Sequence, residues 1–322
     1  MATPIGADHI TSIVNRHLMD DIIDLAYDGN ALFYRVHNSN RRMVDGGPHI
    51  EQPLMTSKFT AGGSFSDLET LDMTPQDTLQ NAAWDWKEKY VPVAFSNLTM
   101  VKLNTADSIA NGVEVQVQQA AMTMADLLGD GLYSAGTDAK EIDGLQAVAS
   151  ATNTYGGIAR GAGTAWWNST PSDAVKLTSA TAGAAMAALN STQTSVVVGG
   201  RFPTIAVTSS TAYNNIWNLL IADQAFYTVN EKDTQMAAAG FNNFLFNGTP
   251  FVVDPKCATG DLYWLNEDFI KLVVTPLSDF RMEPFQQAFN QAAIGAKLLW
   301  TGNLICTAPK MQLRCYDVND AS

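Results

Sequence analysis

The hydrophobic and polar positions at the start of the chain follow helical spacing. Apolar residues recur every three or four positions, at Ile10, Ile13, Val14, Leu18, Ile22 and Leu25. Aspartates lie largely on the other side, so the spacing predicts an amphipathic helix. A polar stretch follows, and its arginines Arg35, Arg41 and Arg42 form the most basic local cluster of the chain. This cluster is either a solvated connection or a docking patch for an acidic surface on another copy.

Strand-like alternation dominates between residues 46 and 98. One strand can run outward along "GGPHIEQPLM", and "TAGGS" at residues 60–64 supplies turn chemistry. On the return, Ala82, Trp84 and Trp86 alternate with polar neighbours, as a half-buried strand requires. The pattern predicts a long two-stranded ribbon. Since an isolated ribbon is marginal in water, it packs either on its own core or on a neighbouring subunit.

The apolar side of the returning strand then changes phase. Val91, Val93 and Phe95 carry it at odd-numbered positions, whereas the preceding apolar residues are even-numbered. Pro92 lies at this switch, which predicts a β-bulge or an edge strand because proline has no backbone N–H to donate to a neighbouring strand.

The clearest helical pattern follows in "TADSIANGVEVQVQQAAMTMADLLGDG". One apolar stripe runs through Ile109, Val113, Val117, Ala120, Met124 and Leu128. Thr105 or Asp107 can cap the start, and we expect Gly129 and Gly131 to end the helix. Such a helix is roughly 35 Å long at 1.5 Å per residue.

The second half of the chain alternates between short apolar runs and helical segments. Helices are predicted in "LTSATAGAAMAALN" and "STAYNNIWNLLIADQAF", and strands in "SVVVGG" and "TIAVTSS". "FNNFLFNGTPFVVDP" predicts a hairpin with an Asn-Gly turn, and "LYWLNEDFIKLVVTPL" offers two more strands. The C-terminus reads as two strands interrupted at Pro309. This order predicts a compact α/β unit.

Composition narrows the possible functions. The 322 residues carry a formal net charge of −13 with only 19 lysines and arginines, which argues against a tight grip on a nucleic-acid backbone. The hydrophobic fraction of 46% excludes a disordered chain. Cys257, Cys306 and Cys315 are odd in number and form no CxxC pair, so we expect reduced thiols and a cytoplasmic origin. No apolar run is long enough to cross a bilayer, and no export signal precedes the first helix.

Residues that could carry catalysis or bind a metal are few and scattered. His9, His17, His37 and His49 form no HExxH motif, and the chain has no GxSxG nucleophile elbow. The glycine loop "GGIARGAG" at residues 156–163 lacks the Lys-Ser/Thr of a P-loop, so an ordinary connection is favoured over a phosphate cradle. We expect no catalytic residue, cofactor or metal. A nucleotide-binding enzyme that uses this loop is the alternative from another class.

Four stretches, in order along the chain, resemble the major capsid proteins of tailed bacteriophages. They are "WDWKEKYVPVAFS", "EIDGLQAV", "TYGGIARGAGTAWWN" and "FNGTPFVVDPKCATGDLYWLN". The resemblance covers residues 46–317 and implies the α+β Hong-Kong-ninety-seven-type fold. The implied divisions are an N-terminal arm (1–45), an extended β-hairpin or E-loop (46–100), a peripheral domain with a long spine helix (101–143), an axial α/β domain (144–284) and a return to the peripheral domain (285–322). It also implies that the ribbon lies across a neighbouring subunit.

The resemblance implies a structural and non-enzymatic function. Copies of the chain would assemble as hexamers and pentamers into an icosahedral head that encloses viral double-stranded DNA without binding it specifically. A separate scaffolding protein, a portal and a decoration protein are the further expected partners. The expected location is the virion, assembled in the bacterial cytoplasm without a membrane. The alternative with the same fold is an encapsulin-like compartment that holds protein cargo.

The candidate subunit-interface residues combine the basic cluster with the arginine and tryptophans of the resembling stretches. They are Arg41, Arg42, Trp84, Trp86, Arg160, Trp166 and Trp167. We expect Trp166 and Trp167 to anchor the chain as it returns to packed structure. We expect loss of Arg160 to damage shell assembly.

Overall fold

A computed structural model describes residues 30–96, 106–222, 243–287 and 292–319. The helix predicted near the N-terminus, with His9 and His17, lies outside these residues. The first described helix, α1, spans Ala31–Asn40 and begins at Asn30, whose side chain accepts a hydrogen bond from the Phe33 N–H. This is an ordinary N-cap, in which a side-chain oxygen satisfies an amide that has no partner within the helix.

A six-stranded sheet forms one half of the molecule around its longest strand, β14 (Ala293–Cys306). Antiparallel partners of β14 lie on both of its sides, and a further strand extends the sheet in parallel. The partners are β4 (Lys87–Ser96) on one side, and β11 (Ile270–Val274), β12 (Arg281–Met282) and β13 (Gln286–Gln287) on the other; β1 (Arg41–Met43) pairs in parallel with β11. Among the described strands, β1 and β4 therefore lie at sheet edges.

The long helix α2 spans Ala106–Leu132 and packs against β4 and β14. Its 27 residues make it about 40 Å long. The helix ends at Leu132, one residue after Gly131 and three after Gly129, so the predicted end is close but both glycines lie inside the helix. These glycines permit close packing: a Cβ at Gly129 would overlap the side-chain Nδ2 of Asn30, and one at Gly131 would lie 2.9 Å from an Ile142 methyl carbon.

A five-stranded sheet forms the other half and has its own hydrophobic core. In spatial order its strands are β15 (Leu313–Cys315), β10 (Leu262–Leu265), β7 (Ile205–Thr208), β9 (Thr249–Val253) and β8 (Asn243–Phe246). Helices α4 (Ala182–Ser195) and α5 (Ser210–Ala222) supply buried residues to this core. A short helix, α3 (Leu145–Val148), precedes them and packs in the first core.

Most of the predicted elements of this half are confirmed. The Asn-Gly hairpin joins β8 to β9, with Asn247 and Gly248 in the left-handed region at φ 47° and 83°. The strand predicted in "SVVVGG" is wrong. Val196 follows the end of α4, and Gly199 and Gly200 have positive φ angles that turn the chain at a single bridge between Val198 and Arg201.

The chain crosses between the two halves more than once. Consecutive strands β10 and β11 belong to different sheets, and so do β14 and β15. A short 3-10 turn, Glu267–Phe269, connects β10 to β11. The Glu267 carboxylate pairs there with Arg35. The predicted domain divisions stay predictions. Any division by sheet must keep β11 with β14 and β15 with β10, because each pair shares a sheet.

The predicted ribbon exists and begins with β2 (Ile50–Met55), which pairs antiparallel with β3 (Leu79–Trp84). Its turn is not confined to residues 60–64, because residues 56–78 form the whole connection. The change of phase also lies elsewhere than predicted. Trp84 and Lys87 are both buried and three residues apart, so the two residues between β3 and β4 reverse the inward face. Pro92 lies within β4 opposite Lys297, on an edge strand as predicted.

Candidate assembly interface

The glycine loop is a β-hairpin rather than an open loop. β5 (Thr154–Tyr155) and β6 (Ile158–Ala159) pair across Gly156 and Gly157. Both glycines lie in the left-handed region, at φ 58° and 72°. A two-residue hairpin turn with positive φ at both positions strongly favours glycine, so the local sequence specifies this turn.

This hairpin holds the root of the arm formed by β2, residues 56–78 and β3. The Ala83 N–H donates a hydrogen bond to the Gly156 carbonyl oxygen over 3.0 Å. A Cβ at Gly156 would lie 2.9 Å from the Trp84 indole ring, so the absent side chain makes room for the tryptophan. The position therefore requires glycine both for its backbone conformation and for this contact.

Trp84 enters an aromatic cluster that is buried inside the subunit. The centre of its ring lies 5.7 Å from that of Tyr155, edge to face, and 6.5 Å from that of Trp167. The Trp167 indole N–H donates to the Tyr155 carbonyl oxygen over 3.0 Å. The Tyr155 hydroxyl accepts from the Cys306 N–H at the end of β14 over 2.9 Å. Arm, hairpin and central sheet are thus joined through one cluster.

Arg160 is buried beside this cluster and binds backbone carbonyl oxygens of its own chain. Its Nη1 donates to the carbonyl oxygens of Ala147 (3.0 Å) and Ser150 (2.6 Å), and its Nη2 donates to that of Val148 (2.8 Å). The guanidinium thereby caps the C-terminal end of α3, where carbonyl groups lack partners within the helix. Its centre also lies 5.1 Å from the centre of the Tyr155 ring. Burial lowers the pKa of Arg160 to about 10, so the group is still charged at neutral pH.

A polar network supports the same root from the other side, and the sequence reasoning did not anticipate it. The Asn303 side-chain N–H group donates to the Asp85 carbonyl oxygen (2.9 Å) and to the Asp143 carboxylate (2.7 Å). Lys87 donates to the Ala139 carbonyl oxygen over 2.8 Å. Burial raises the pKa of Asp143, and the hydrogen bond from Asn303 acts against that rise. The short polar residues around β3 and β4 gave no pattern from which these long-range partners could be read.

The predicted basic cluster lies beside the arm root. Arg35 pairs with Glu267 and Arg41 with Asp279, whereas the exposed Arg42 donates to the Gln52 side-chain oxygen over 3.1 Å. Arg41, Arg42 and Lys271 border an open pocket of about 430 Å³. Trp86, half-buried, donates its indole N–H to the Gly47 carbonyl oxygen over 2.9 Å.

The surface of the arm is unusually apolar for exposed structure. Its exposed large side chains are Met55, Phe59, Phe65, Leu68, Leu71, Met73 and Leu79. Leu68 is fully exposed and Met73 is 85% exposed. Leu68 also has a positive φ of 71°, which is uncommon for a residue with a branched side chain. Exposed apolar side chains grouped on one segment are typical of surfaces that contact another molecule.

The described residues offer little for catalysis. Burial raises the pKa of Cys306 and of Cys315 to about 12 and also raises that of Cys257, so none is a thiolate at neutral pH. Burial also lowers the pKa of His37 to about 4. No group of three potential metal ligands occurs within the described ranges. None of the helices in these ranges has the length and hydropathy to cross a membrane.

Sequence comparison finds neither a matching family model nor a matching curated protein. Structural comparison is informative. The capsid asymmetric unit of cyanophage A-1(L) superposes with a TM-score of 0.61 and 17% identity, over 90% of this chain and 93% of that one. A chain from Mycobacterium phage Bobi gives 0.57 and 13%, over 99% and 100%. An encapsulin complex from Synechococcus elongatus PCC 7942 gives 0.58 and 9%, over 91% and 89%.

The chain has the fold of tailed-phage major capsid proteins. The mixed helix and sheet architecture expected from the sequence is thereby confirmed, and the match extends over nearly the whole length of both chains.

Within this capsid fold the predicted interface residues fall into two groups. Trp84, Arg160 and Trp167 are buried in their own subunit, where they hold the arm root, and Trp166 packs half-buried with its ring centre 5.4 Å from that of Trp167. Arg41, Arg42 and Trp86 lie at or near the surface beside the arm. A direct contact of either group with another subunit stays a prediction. The ribbon was expected to lie across a neighbouring subunit, but the exposed apolar side chains of its connection were not singled out, because they follow neither a helical nor a strand period.

Proposed function

We propose that this chain is a structural shell protein, the major capsid protein of a tailed phage. Copies assemble as hexamers and pentamers into an icosahedral head around double-stranded DNA. The observation that carries the proposal is the exposed apolar arm on a chain with a capsid fold. An arm that finds no cover on its own subunit gains a burial site when it lies on a neighbour.

The construction of the root supports this role for the arm. A ribbon that must place its tip on a neighbour needs a fixed base, because an angular error at the base is magnified along the ribbon. Trp84, Gly156 and the buried network at Asn303 fix that base through packing and hydrogen bonds. In this account Arg160 and Trp167 act on assembly indirectly, by holding the arm root.

The charge of the chain supports enclosure of DNA without specific binding. A net charge of −13 with 19 basic residues leaves little cationic surface for phosphate. Such a shell allows DNA to be packed and released. The proposal includes the predicted arm, E-loop, peripheral and axial divisions, a separate scaffolding protein, a portal and a decoration protein as partners, and assembly in the host bacterial cytoplasm.

An encapsulin-like compartment is the second candidate, because an encapsulin shares the fold with a TM-score of 0.58. The two candidates differ in what the particle contains. Particles purified from infected or expressing cells would hold DNA in the first case and a protein cargo in the second. Nuclease-protected nucleic acid and protein gels of the same particles separate the two.

Sedimentation velocity tests the proposal directly on the purified protein, alone and after co-expression with a scaffolding protein. We expect particles far larger than the 34.7 kDa subunit. A matched variant replaces residues 57–77 of the arm with a short Gly-Ser turn, which leaves the β2–β3 ladder in place. We expect this variant to sediment as a folded small species. Assembly of the variant as efficient as that of the wild type would contradict the role given to the arm.

A further inference from the structure

The tip of the arm combines acidic and apolar residues within one short segment. The acidic tip segment, residues 67–73, reads "DLETLDM". Asp67, Glu69 and Asp72 alternate with exposed apolar side chains, of which Leu68 is fully exposed. Within the described residues, the carboxylates accept local hydrogen bonds, from the Ser66 N–H to Glu69 (2.9 Å) and from the Thr74 N–H to Asp72 (3.0 Å), and none pairs with a cation. The segment therefore presents uncompensated negative charge together with apolar surface.

A surface of opposite charge lies at the edge of the six-stranded sheet. The basic edge pocket, lined by Ser39, Asn40, Arg41, Arg42, Met43 and Lys271, has a volume of about 430 Å³. None of these lining residues is acidic. Arg41 is engaged by Asp279, which leaves Arg42 and Lys271 as cations without a carboxylate partner among the described residues. Met43 is 56% exposed at the same place and adds an apolar contact surface.

The arm carries its own tip away from this pocket. Arg42 contacts Gln52 near the start of β2, and β2 then runs outward to Met55 before the connection begins. A strand advances about 3.3 Å per residue, so β2 carries the chain roughly 10 Å from the Arg42–Gln52 contact before the connection begins. No described hydrogen bond or ion pair joins the two surfaces. The same segment of another copy is therefore an occupant whose charge and apolar surface suit this pocket.

We propose that the acidic tip segment of one subunit docks on the basic edge pocket of a neighbouring subunit. Carboxylates of residues 67–73 meet Arg42 and Lys271, and apolar side chains of the segment pack against Met43. This inference rests on the proposed shell function and specifies which surfaces meet. Charge complementarity of this kind sets register and rejects wrong partners more than it adds affinity. A DNA phosphate is the competing occupant, but two cations that have no carboxylate partner among the described residues, together with an exposed methionine, suit an acidic and apolar peptide better.

Charge reversal on each side, followed by their combination, tests the docking. The pocket variant is Arg42→Glu with Lys271→Glu, and the tip variant is Asp67→Lys with Glu69→Lys. Light scattering at low salt measures the protein concentration needed for half-maximal assembly. We expect each variant to raise this concentration by about tenfold or more, because like charges then face each other. The four-substitution chain restores opposite charges, so we expect assembly within about threefold of the wild type.

Matched controls carry one reversal each outside the two surfaces. Asp77→Lys lies on the arm beyond the tip segment, and Lys310→Glu lies on an exposed turn elsewhere. We expect both to assemble like the wild type. Added salt weakens the wild-type contact and narrows the difference between variants, since the Debye length shrinks from about 10 Å at 0.1 M to about 3 Å at 1 M.

The outcomes separate this inference from the function on which it rests. A wild type that never assembles overturns both. A wild type that assembles while the paired reversals have no effect, or while the combined chain is no better than either, overturns the docking alone. Reversals in the pocket that leave assembly intact but abolish DNA retention assign the pocket to phosphate and also overturn it.

A second measurement covers the case in which a reversal prevents folding. Met43→Cys and Leu68→Cys in one chain place reactive thiols on the two surfaces, while the three native cysteines are buried. A short bis-maleimide should link subunits into a ladder on a denaturing gel. The control chain pairs Leu68→Cys with Met122→Cys on the exposed side of α2. Equal linking in both chains would contradict the docking.

Discussion

At the scale of single residues, the structure explains why the glycine hairpin has the sequence it has. Gly156 combines a left-handed backbone with a place beside the Trp84 ring where no side chain fits. The glycines of this stretch predicted a turn. The contact of Gly156 with Trp84 could not be predicted, because the two residues are more than seventy positions apart and only the folded sheet brings them together.

Gly156→Ala should lower the free energy of unfolding of the subunit by about 2 kcal/mol, since strain at φ 58° adds to the clash with Trp84. Urea unfolding followed by tryptophan fluorescence measures the loss. Gly163→Ala is the matched control, because nothing lies within 4 Å of its added carbon. Equal stability of the two variants would refute the role given to Gly156.

Arg160→Ala should cost about 3 kcal/mol of unfolding free energy, because buried carbonyl oxygens at the end of α3 lose a charged donor. Arg201→Ala, at an exposed arginine whose guanidinium lies 5.4 Å from the Phe269 ring centre, should cost less than about 1 kcal/mol. Both are read from urea unfolding. We further expect the first variant to assemble poorly. Normal stability combined with poor assembly would instead indicate a direct subunit contact.

At the scale of elements, apolar spacing and turn residues predicted those helices, strands and turns that depend mainly on local sequence. The long helix, the Asn247–Gly248 hairpin and the interruption of the last strands at Pro309 follow from apolar spacing and turn residues and are confirmed. The errors arose where tertiary packing overrides a local preference. Two glycines predicted to end α2 are instead close-packing positions inside it. "SVVVGG" has strand-forming valines, but the end of α4 and a glycine turn occupy them.

Substitutions of glycine by alanine in two helices should have opposite signs. Gly129→Ala in α2 should destabilise the subunit by about 2 kcal/mol, because the added carbon meets Asn30 and disturbs the start of α1. Gly183→Ala, near the start of α4 with open space around it, should stabilise by up to about 1 kcal/mol through helix propensity alone. The midpoint temperatures of thermal unfolding of the two variants, compared with that of the wild type, test both signs. A stabilising Gly129→Ala would mean that propensity outweighs packing there.

At the scale of the whole molecule, the subunit has two cores and an arm that its own surface leaves uncovered. The capsid fold was accessible from the sequence because four motifs stood in the right order. The apolar face of the arm was less accessible, since Phe59, Phe65 and Leu68 follow neither a helical nor a strand period. Only the structure shows that these side chains are exposed and could contact another molecule. The buried network around Asn303 could not be predicted from the sequence, because its partners are remote along the chain.

Electron cryomicroscopy of particles assembled from the purified protein, with its scaffolding protein where needed, tests the central claim most directly. The account predicts closed icosahedral shells of hexamers and pentamers in which residues 56–78 of each subunit lie on a neighbour. The root formed by Trp84 and Gly156 should keep the geometry described above. Monomers alone under every assembly condition, or shells in which the arm folds back onto its own subunit, would contradict it.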